Sequence, residues 1–207
     1  MTSDLQSARD DLAYMRGLVS GSAPMQATIG EAFVWAGTLY GGQCLLHWLQ
    51  TLAIAPSEGL AALAIGFGPT IMFCAALGWI IWKDRKTKTT GVASRALGAV
   101  FQGAGLANLV MAFVFAYGAT KAESFGLWLY HPVVVCMFQG VAWFVAWVIL
   151  RRAWLGLTAA GWFVTTVALG VALYIDIGAY LFILGVALIL LMALPGWAIW
   201  RGAKKPA

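Results

Sequence analysis

The chain of 207 residues is 62% hydrophobic and only 10% charged, and its mean hydropathy is +0.84. Soluble globular domains are roughly half apolar and roughly one quarter charged. The composition therefore excludes a soluble domain, and it also excludes a disordered chain or a small secreted domain held together by disulfides. It predicts an integral membrane protein that crosses the bilayer several times.

The net charge of +5 comes from 13 Lys and Arg residues against 8 Asp and Glu residues. Basic residues that bind nucleic acid cluster on one face of a folded domain, whereas these lie at the ends of apolar segments. We therefore expect no nucleic-acid partner. We expect the basic residues to contact the anionic lipid head groups on the cytoplasmic side of the bilayer.

The N-terminal residues differ in kind from the rest of the chain. Apolar residues recur there at spacings of three and four, as on one face of a helix: Leu5, Ala8, Leu12, Met15 and Val19. This pattern predicts a short amphipathic helix within residues 1–20, on the cytoplasmic side, that docks on the protein or on a partner through residues 3–19. The Gly, Ser and Ala content of residues 21–30 predicts a linker.

Six apolar segments follow, at 32–55, 60–82, 96–118, 126–149, 153–174 and 179–200. A helix needs about 20 such residues to cross a hydrocarbon core of about 30 Å. The segments lack the alternation of β-barrel strands, and backbone facing lipid must be hydrogen-bonded internally, so each is predicted to be a helix. The expected fold is an all-α, polytopic transmembrane bundle over residues 31–201, built as three hairpins, with a cytoplasmic tail at 202–207.

The loops between these segments differ sharply in basic content. Twelve of the 13 Lys and Arg residues precede the first segment, follow the sixth, or lie in the loops after the second and fourth segments. Only Lys121 lies on the other side. The positive-inside rule then places both termini in the cytoplasm. We expect a multi-pass protein of the cell membrane, of the kind found in a bacterial inner membrane.

Small and helix-breaking residues indicate where the helices pack or bend. Gly37 and Gly41 form a small-xxx-small pair, which allows two helices to approach closely. The pair predicts either packing within the bundle or self-association of two copies, and both remain open. Residues 66–69 (GFGP) are the expected place for a broken helix, because proline removes a backbone donor.

The first segment carries a polar face. Tyr40, Gln43, His47 and Gln50 are three or four residues apart, so they share one side of a helix. Lipid penalises polar groups, so this face is predicted to point into the bundle or to line a wet cavity. No Asp, Lys or Arg lies in the middle of any predicted segment, which leaves uncharged polar residues as the candidates for function.

The third and fourth segments add Asn108, His131 and Gln139 to the predicted cavity-lining set, and His131 and Gln139 lie on roughly one face. The two histidines of the chain, His47 and His131, are predicted at similar depth in the outer half of the membrane. Two imidazoles from different helices could ligate the iron of haem b or take part in a quinone site. The pair is thus the candidate cofactor-binding site, and the alternative is that each histidine is hydrogen-bonded inside the protein. No other metal site is predicted.

The chain has no motif typical of a nucleotide-binding loop, a serine hydrolase or a zinc hydrolase. We therefore expect no catalytic residue, no cofactor, and a protein that acts by association as an accessory, assembly or regulatory subunit. Two alternatives remain open. One is a small channel or transporter for a neutral or weakly polar solute, lined by the polar face of the first segment. The other is a haem- or quinone-linked redox subunit that uses both histidines.

Overall fold

A computed structural model of the chain describes residues 23–85 and 92–203. Within these ranges the protein is built from helices and short turns, without a β-strand. The helices are α1 (Ala23–Thr51), α2 (Gly59–Asp84), α3 (Val92–Lys121), α4 (Phe125–Trp128), α5 (Tyr130–Leu150), α6 (Ala153–Ile175), α7 (Ile177–Leu188) and α8 (Leu194–Ala203), with a π-helical turn at Ile189–Ala193.

These helices correspond to the six predicted segments. Helices α4 and α5 together form the fourth segment, and α7, the π-helical turn and α8 together form the sixth. Five of the six segments, all except α1, are long and apolar enough to cross a membrane. Helix α1 is long enough but more polar, because it carries the polar face described above. For the described residues, the prediction of an all-helical fold with several helices long and apolar enough to cross a membrane is confirmed.

The start of α1 corrects the predicted linker. The helix begins at Ala23, so residues 23–30 are helical, and it ends at Thr51 instead of continuing to residue 55. Contacts with α2 stabilise this extra length, because the Thr28 hydroxyl donates to the Asp84 carboxylate at 2.5 Å. Tertiary contacts therefore favour a helix where the composition of residues 21–30 predicted a linker.

Two terminal predictions concern residues at the limits of the structure. The amphipathic helix predicted for residues 3–19 lies outside the described residues. Of the predicted tail at 202–207, the first two residues belong to α8, which ends at Ala203. The remainder of that tail also lies outside the described residues.

Helix α2 is continuous through Pro69, so the break predicted at residues 66–69 is wrong. Proline is tolerated in membrane helices where neighbouring helices support the backbone around it. The Gln43 side-chain amide of α1 donates to the carbonyl oxygen of Gly66 at 2.7 Å. This contact stabilises the turn that contains the proline.

The distorted helix is instead the sixth segment, where the π-helical turn precedes Pro195. In an α-helix the carbonyl of Leu191 would accept the amide hydrogen of residue 195, which proline lacks. The indole Nε1 of Trp162, in α6, donates to that carbonyl at 3.2 Å. A neighbouring helix thus supplies the hydrogen bond that the local sequence cannot.

The best-packed part of the protein lies between α1, α5, α6 and the sixth segment. Trp143 of α5, Trp162 of α6 and Tyr180 of α7 are fully buried there. By contrast, Ile80 is the single buried residue of α2, and the most apolar windows of α2 and α3 contain no buried residue. Helices α2 and α3 are therefore peripheral, and each is attached to the bundle along one side.

Glycines bring α1 against the sixth segment. A Cβ atom added at Gly37 would lie 2.5 Å from the backbone nitrogen of Ala193, and one at Gly41 would lie 2.8 Å from the Ile189 side chain. Both distances are shorter than van der Waals contact, so these positions accept only glycine without rearrangement. The pair therefore packs within the bundle, which is the first of the two predicted alternatives.

Candidate functional site

The charged helix ends gather at two opposite ends of the bundle. At one end, Glu31 near the start of α1 forms an ion pair with Lys83 near the end of α2, with 2.5 Å between Oε2 and Nζ. We call this the basic end, and its Lys and Arg residues are Lys83, Arg85, Arg95, Arg151, Arg152 and Arg201. The opposite end carries Glu58, Lys121, Glu123 and Asp176.

The first half of the polar face of α1 packs against α2. The rings of Tyr40 and Phe73 have centroids 5.5 Å apart in an edge-to-face arrangement. The Gln43 amide, one turn further along α1, bonds to the carbonyl of Gly66 as described above. These two polar side chains therefore hold α2 against α1.

The second half of the polar face lies near the end of α1. The Nδ1 atom of His47 lies 2.7 Å from Oε1 of Gln50. The Nε2 atom of Gln50 donates to the carbonyl oxygen of Pro56 at 2.5 Å, in the turn before α2. This chain of hydrogen bonds fixes the connection between α1 and α2.

His131 has partners different from those of His47. Its ring stacks on Trp128 with 5.2 Å between centroids, and its Nε2 atom lies 3.3 Å from the carbonyl oxygen of Asn108. Across residues 23–85 and 92–203, no hydrogen bond or ring contact joins the two histidines. The same residues contain no group of three or more His, Cys, Asp or Glu that could hold a metal ion. Each histidine therefore has its own partners, His47 at the end of α1 and His131 beside α3 and α4.

Among the residues that the structure describes, three buried side-chain polar atoms have no hydrogen-bond partner: Oδ1 of Asn108, Oε1 of Gln139 and Nε1 of Trp143. Gln139 and Trp143 lie four residues apart on one face of α5. Leaving such an atom unpaired in an apolar interior costs about 1–3 kcal/mol. These atoms therefore mark places where a further polar group would be stabilised.

A cavity of about 290 Å³ lies at the basic end, between α1, α3, α5, α6 and α8. Its lining residues are Ile29, Leu97, Phe101, Trp143, Ala146, Leu150, Arg152, Trp154, Leu155, Ala198, Ile199 and Gly202. No residue of the predicted cavity-lining set is among them. The sequence did not reveal this cavity. Arg152 was explained by the positive-inside rule, and the tryptophans were explained as anchors at the membrane interface.

Gln102 is a second feature that the sequence reasoning missed. It is exposed on α3, and it makes no hydrogen bond within the described part of the chain. The residues on the same side of α3 include Leu106, Leu109 and Phe113, which are large, apolar and exposed. An amide among apolar residues of a segment long enough to cross a membrane was the signal that could have indicated this position.

Comparison of the chain with protein-family models, curated proteins and solved structures gives no match. The geometry of the chain is therefore the basis for interpreting its function. Two features stand out: the cavity at the basic end, and the open faces of α2 and α3.

Helix α2 exposes the side that faces away from α1. Phe67 and Ile71 on this side are 65% and 67% exposed. A Cβ atom added at Gly78, on the same side, would have no neighbouring atom within 4 Å, and the same holds for Gly105 of α3. Small residues in membrane helices are typical of helix–helix contacts. The glycines of α1 make such contacts within the chain, whereas these two do not.

Proposed function

We propose that this chain is an integral membrane protein that acts by association, as an accessory, assembly or regulatory subunit, and not by catalysis. The observation that carries the proposal is Gln102, an exposed and unpaired amide on an apolar helix face. Amides in membrane helices stabilise contacts between helices by about 0.6–2 kcal/mol each. A transmembrane helix of a partner protein, packed on α3, would supply the hydrogen bond that Gln102 lacks.

The open faces of α2 and α3 support the same interpretation. Each helix is attached along one side, and each presents glycines with no neighbouring atom on its free side. A partner helix could approach the backbone closely at Gly78 or Gly105. Close approach and an interhelical hydrogen bond are the two contributions that drive helix association in lipid.

The hydrogen bonds of α1 favour association over transport. The side-chain amides of Gln43 and Gln50 both donate to backbone carbonyls of neighbouring segments. The polar face therefore ties α1 to α2, which is a structural role. The separate partners of His47 and His131 likewise favour association over the redox alternative.

We further propose that the basic end faces the cytoplasm, that both termini lie on that side, and that the membrane is a bacterial inner membrane. The distribution of Lys and Arg supports this orientation. Cation–π contacts at the same end are consistent with interface anchors, since Arg85 lies 4.8 Å from the Trp82 ring centroid and Arg201 lies 4.6 Å from that of Trp197. A reporter fused after Ala207 should read as cytoplasmic, and an extracytoplasmic signal would refute the orientation.

Site-specific photocrosslinking in native membranes tests the association. A photoreactive amino acid replaces Leu109 or Phe113 on α3, the helix that carries Gln102, and matched controls carry it at Val164 or Val167 of α6, which are both 68% exposed. We expect protein adducts from the α3 positions and only lipid adducts from the α6 positions. Lipid adducts alone at all four positions, or the same protein adducts at all four, would refute the proposal.

The variant Gln102→Leu tests the residue that carries the proposal. It removes the amide and keeps an apolar side chain of similar size. At about 1.4 kcal/mol per tenfold change, loss of one interhelical hydrogen bond should weaken the complex by about 3- to 30-fold. The control Leu106→Met, on the same face, should leave the affinity unchanged. An unaltered affinity in the Gln102 variant would remove the main support, and the adduct mass distinguishes a second copy from a different protein.

A further inference from the structure

The cavity at the basic end has an apolar wall and a limited volume. Its wall is formed by aromatic and aliphatic side chains that include Phe101, Trp154 and Leu155. It reaches the surface, because the lining residues Arg152 and Ala198 are exposed. Ligand sites usually enclose about 300–1,000 Å³, so a cavity of about 290 Å³ is small. One short apolar chain matches this volume better than the two chains of a phospholipid.

The polar side-chain groups of this cavity are hydrogen-bond donors. The indole of Trp143 is fully buried, and its Nε1 atom has no partner. The guanidinium of Arg152 forms no ion pair within the described residues, and no acidic side chain lines the cavity. Helix α6 begins beside it at Ala153 without a side-chain cap, so its first amides add partial positive charge. An aromatic wall with donors and a cation is complementary to an anion that carries an apolar chain.

We propose that this cavity binds a single-chain amphiphilic anion, with a carboxylate at Arg152 and the start of α6 and a short acyl chain along the aromatic wall. The buried indole of Trp143, whose Nε1 atom has no partner, forms part of the wall of the same cavity. The charge of the head group is essential, because a guanidinium and a helix N-terminus both favour an anion over a neutral group. This site is distinct from the open faces of α2 and α3, so it does not depend on the association proposed above.

A photoreactive decanoate with a diazirine at its far end is the probe. The full-length protein is reconstituted in nanodiscs of zwitterionic lipid, labelled, and mapped by mass spectrometry. We expect labels on the residues that line the cavity, among them Ala146, Leu150 and Ile199. Unlabelled decanoate should compete at least about tenfold better than decanol, which has the same chain without the charge. Acetate, which has the charge without the chain, should not compete.

The two neighbouring arginines supply a matched pair of variants. Arg152→Gln should weaken labelling of the cavity at least about tenfold, because a hydrogen-bonded charge partner is lost. Arg151→Gln removes an equal charge from the same turn but does not alter the lining, so labelling should be unchanged. Ala198→Leu narrows the cavity at an exposed position, which spares the core, and should also reduce labelling. It gives an independent result if Arg152→Gln does not fold.

Several results would overturn the proposal. Equal competition by decanol and decanoate would show that the cavity has no preference for an anion. Equal losses in the variants of Arg151 and Arg152 would indicate a general surface charge effect. Labelling of Val164 and Val167 as strong as that of the cavity would indicate partition into lipid. Labelling that appears only after deletion of residues 1–20 would identify the protein's own N-terminal segment as the occupant.

Discussion

The hydrogen bond between Trp162 and the Leu191 carbonyl provides a direct test of how the sixth segment is stabilised. Trp162 is fully buried, and its indole N–H replaces the backbone donor that Pro195 lacks. The variant Trp162→Phe keeps an aromatic ring in place and removes the N–H. The Leu191 carbonyl then loses this hydrogen bond inside the bundle.

The expected loss of stability combines two contributions. An unpaired buried acceptor costs about 1–3 kcal/mol, although hydrogen bonds between membrane helices average only about 0.6 kcal/mol and reach about 1.7 kcal/mol. The smaller phenyl ring also leaves part of the indole volume empty, which adds to the destabilisation. We therefore expect Trp162→Phe to lower the free energy of unfolding by about 1.5–3 kcal/mol.

A double-mutant cycle separates the hydrogen bond from the cavity. The variant Pro195→Ala restores an amide hydrogen in the sixth segment, so it should partly rescue Trp162→Phe. Unfolding in mixed micelles by increasing SDS should then give a coupling energy of about 0.5–1.7 kcal/mol. The control Trp79→Phe, at a 60% exposed position, should change stability by less than about 0.5 kcal/mol. Additive effects of the two core variants would refute the explanation.

Two further matched pairs test the packing and the caps by the same unfolding measurement. Gly37→Ala should lose about 1–3 kcal/mol, since its Cβ would lie 2.5 Å from the Ala193 backbone nitrogen. Gly42→Ala, with no atom within 4 Å of the new Cβ, should gain about 0.5–1 kcal/mol; the reverse order would contradict the packing. Asp176→Ala should lose about 0.5–2 kcal/mol, because its carboxylate accepts from two amides of α7 at 2.8 and 3.1 Å. Glu58→Ala, at an N-cap without such bonds, should be neutral, so equal losses would argue against the cap.

The positions of the helices could be predicted well from hydropathy. The fifth segment was predicted at 153–174 and is observed at Ala153–Ile175. This agreement has a simple cause, because a segment that crosses the hydrocarbon core must be both apolar and helical whatever its neighbours are. The charged residues marked the ends of the helices for the same reason, because the hydrocarbon core excludes charged side chains.

The predicted linker and the predicted break failed because both depend on neighbours. Residues 23–30 are helical where Thr28 meets Asp84 and where Gly30 lies against the backbone of Gly196. Helix α2 remains continuous through Pro69, whereas the sixth segment is distorted just before Pro195. The composition of residues 21–30 and of residues 66–69 contained no information about the neighbouring helices that contact them.

The candidate site likewise combines residues that the sequence predicted with contacts that only the structure shows. The polar residues of α1 were identified from spacing, but only the structure shows that Gln43 and Gln50 bond to backbone carbonyls. The cavity and the free amide of Gln102 were not predicted. Both depend on which surfaces the other helices leave uncovered, and hydropathy contains no such information.

The sequence by itself thus determined the all-helical class, the approximate positions of the membrane-length helices and the grouping of charges at their ends. These properties follow from the local solvent of each segment, which hydropathy records. Tertiary structure alone decided that Gly37 packs against Ala193, that Trp162 donates a hydrogen bond to the Leu191 carbonyl, and that a cavity remains beside Arg152. Each of these depends on helices far apart in the chain coming within a few ångströms of one another, where close packing leaves few alternatives.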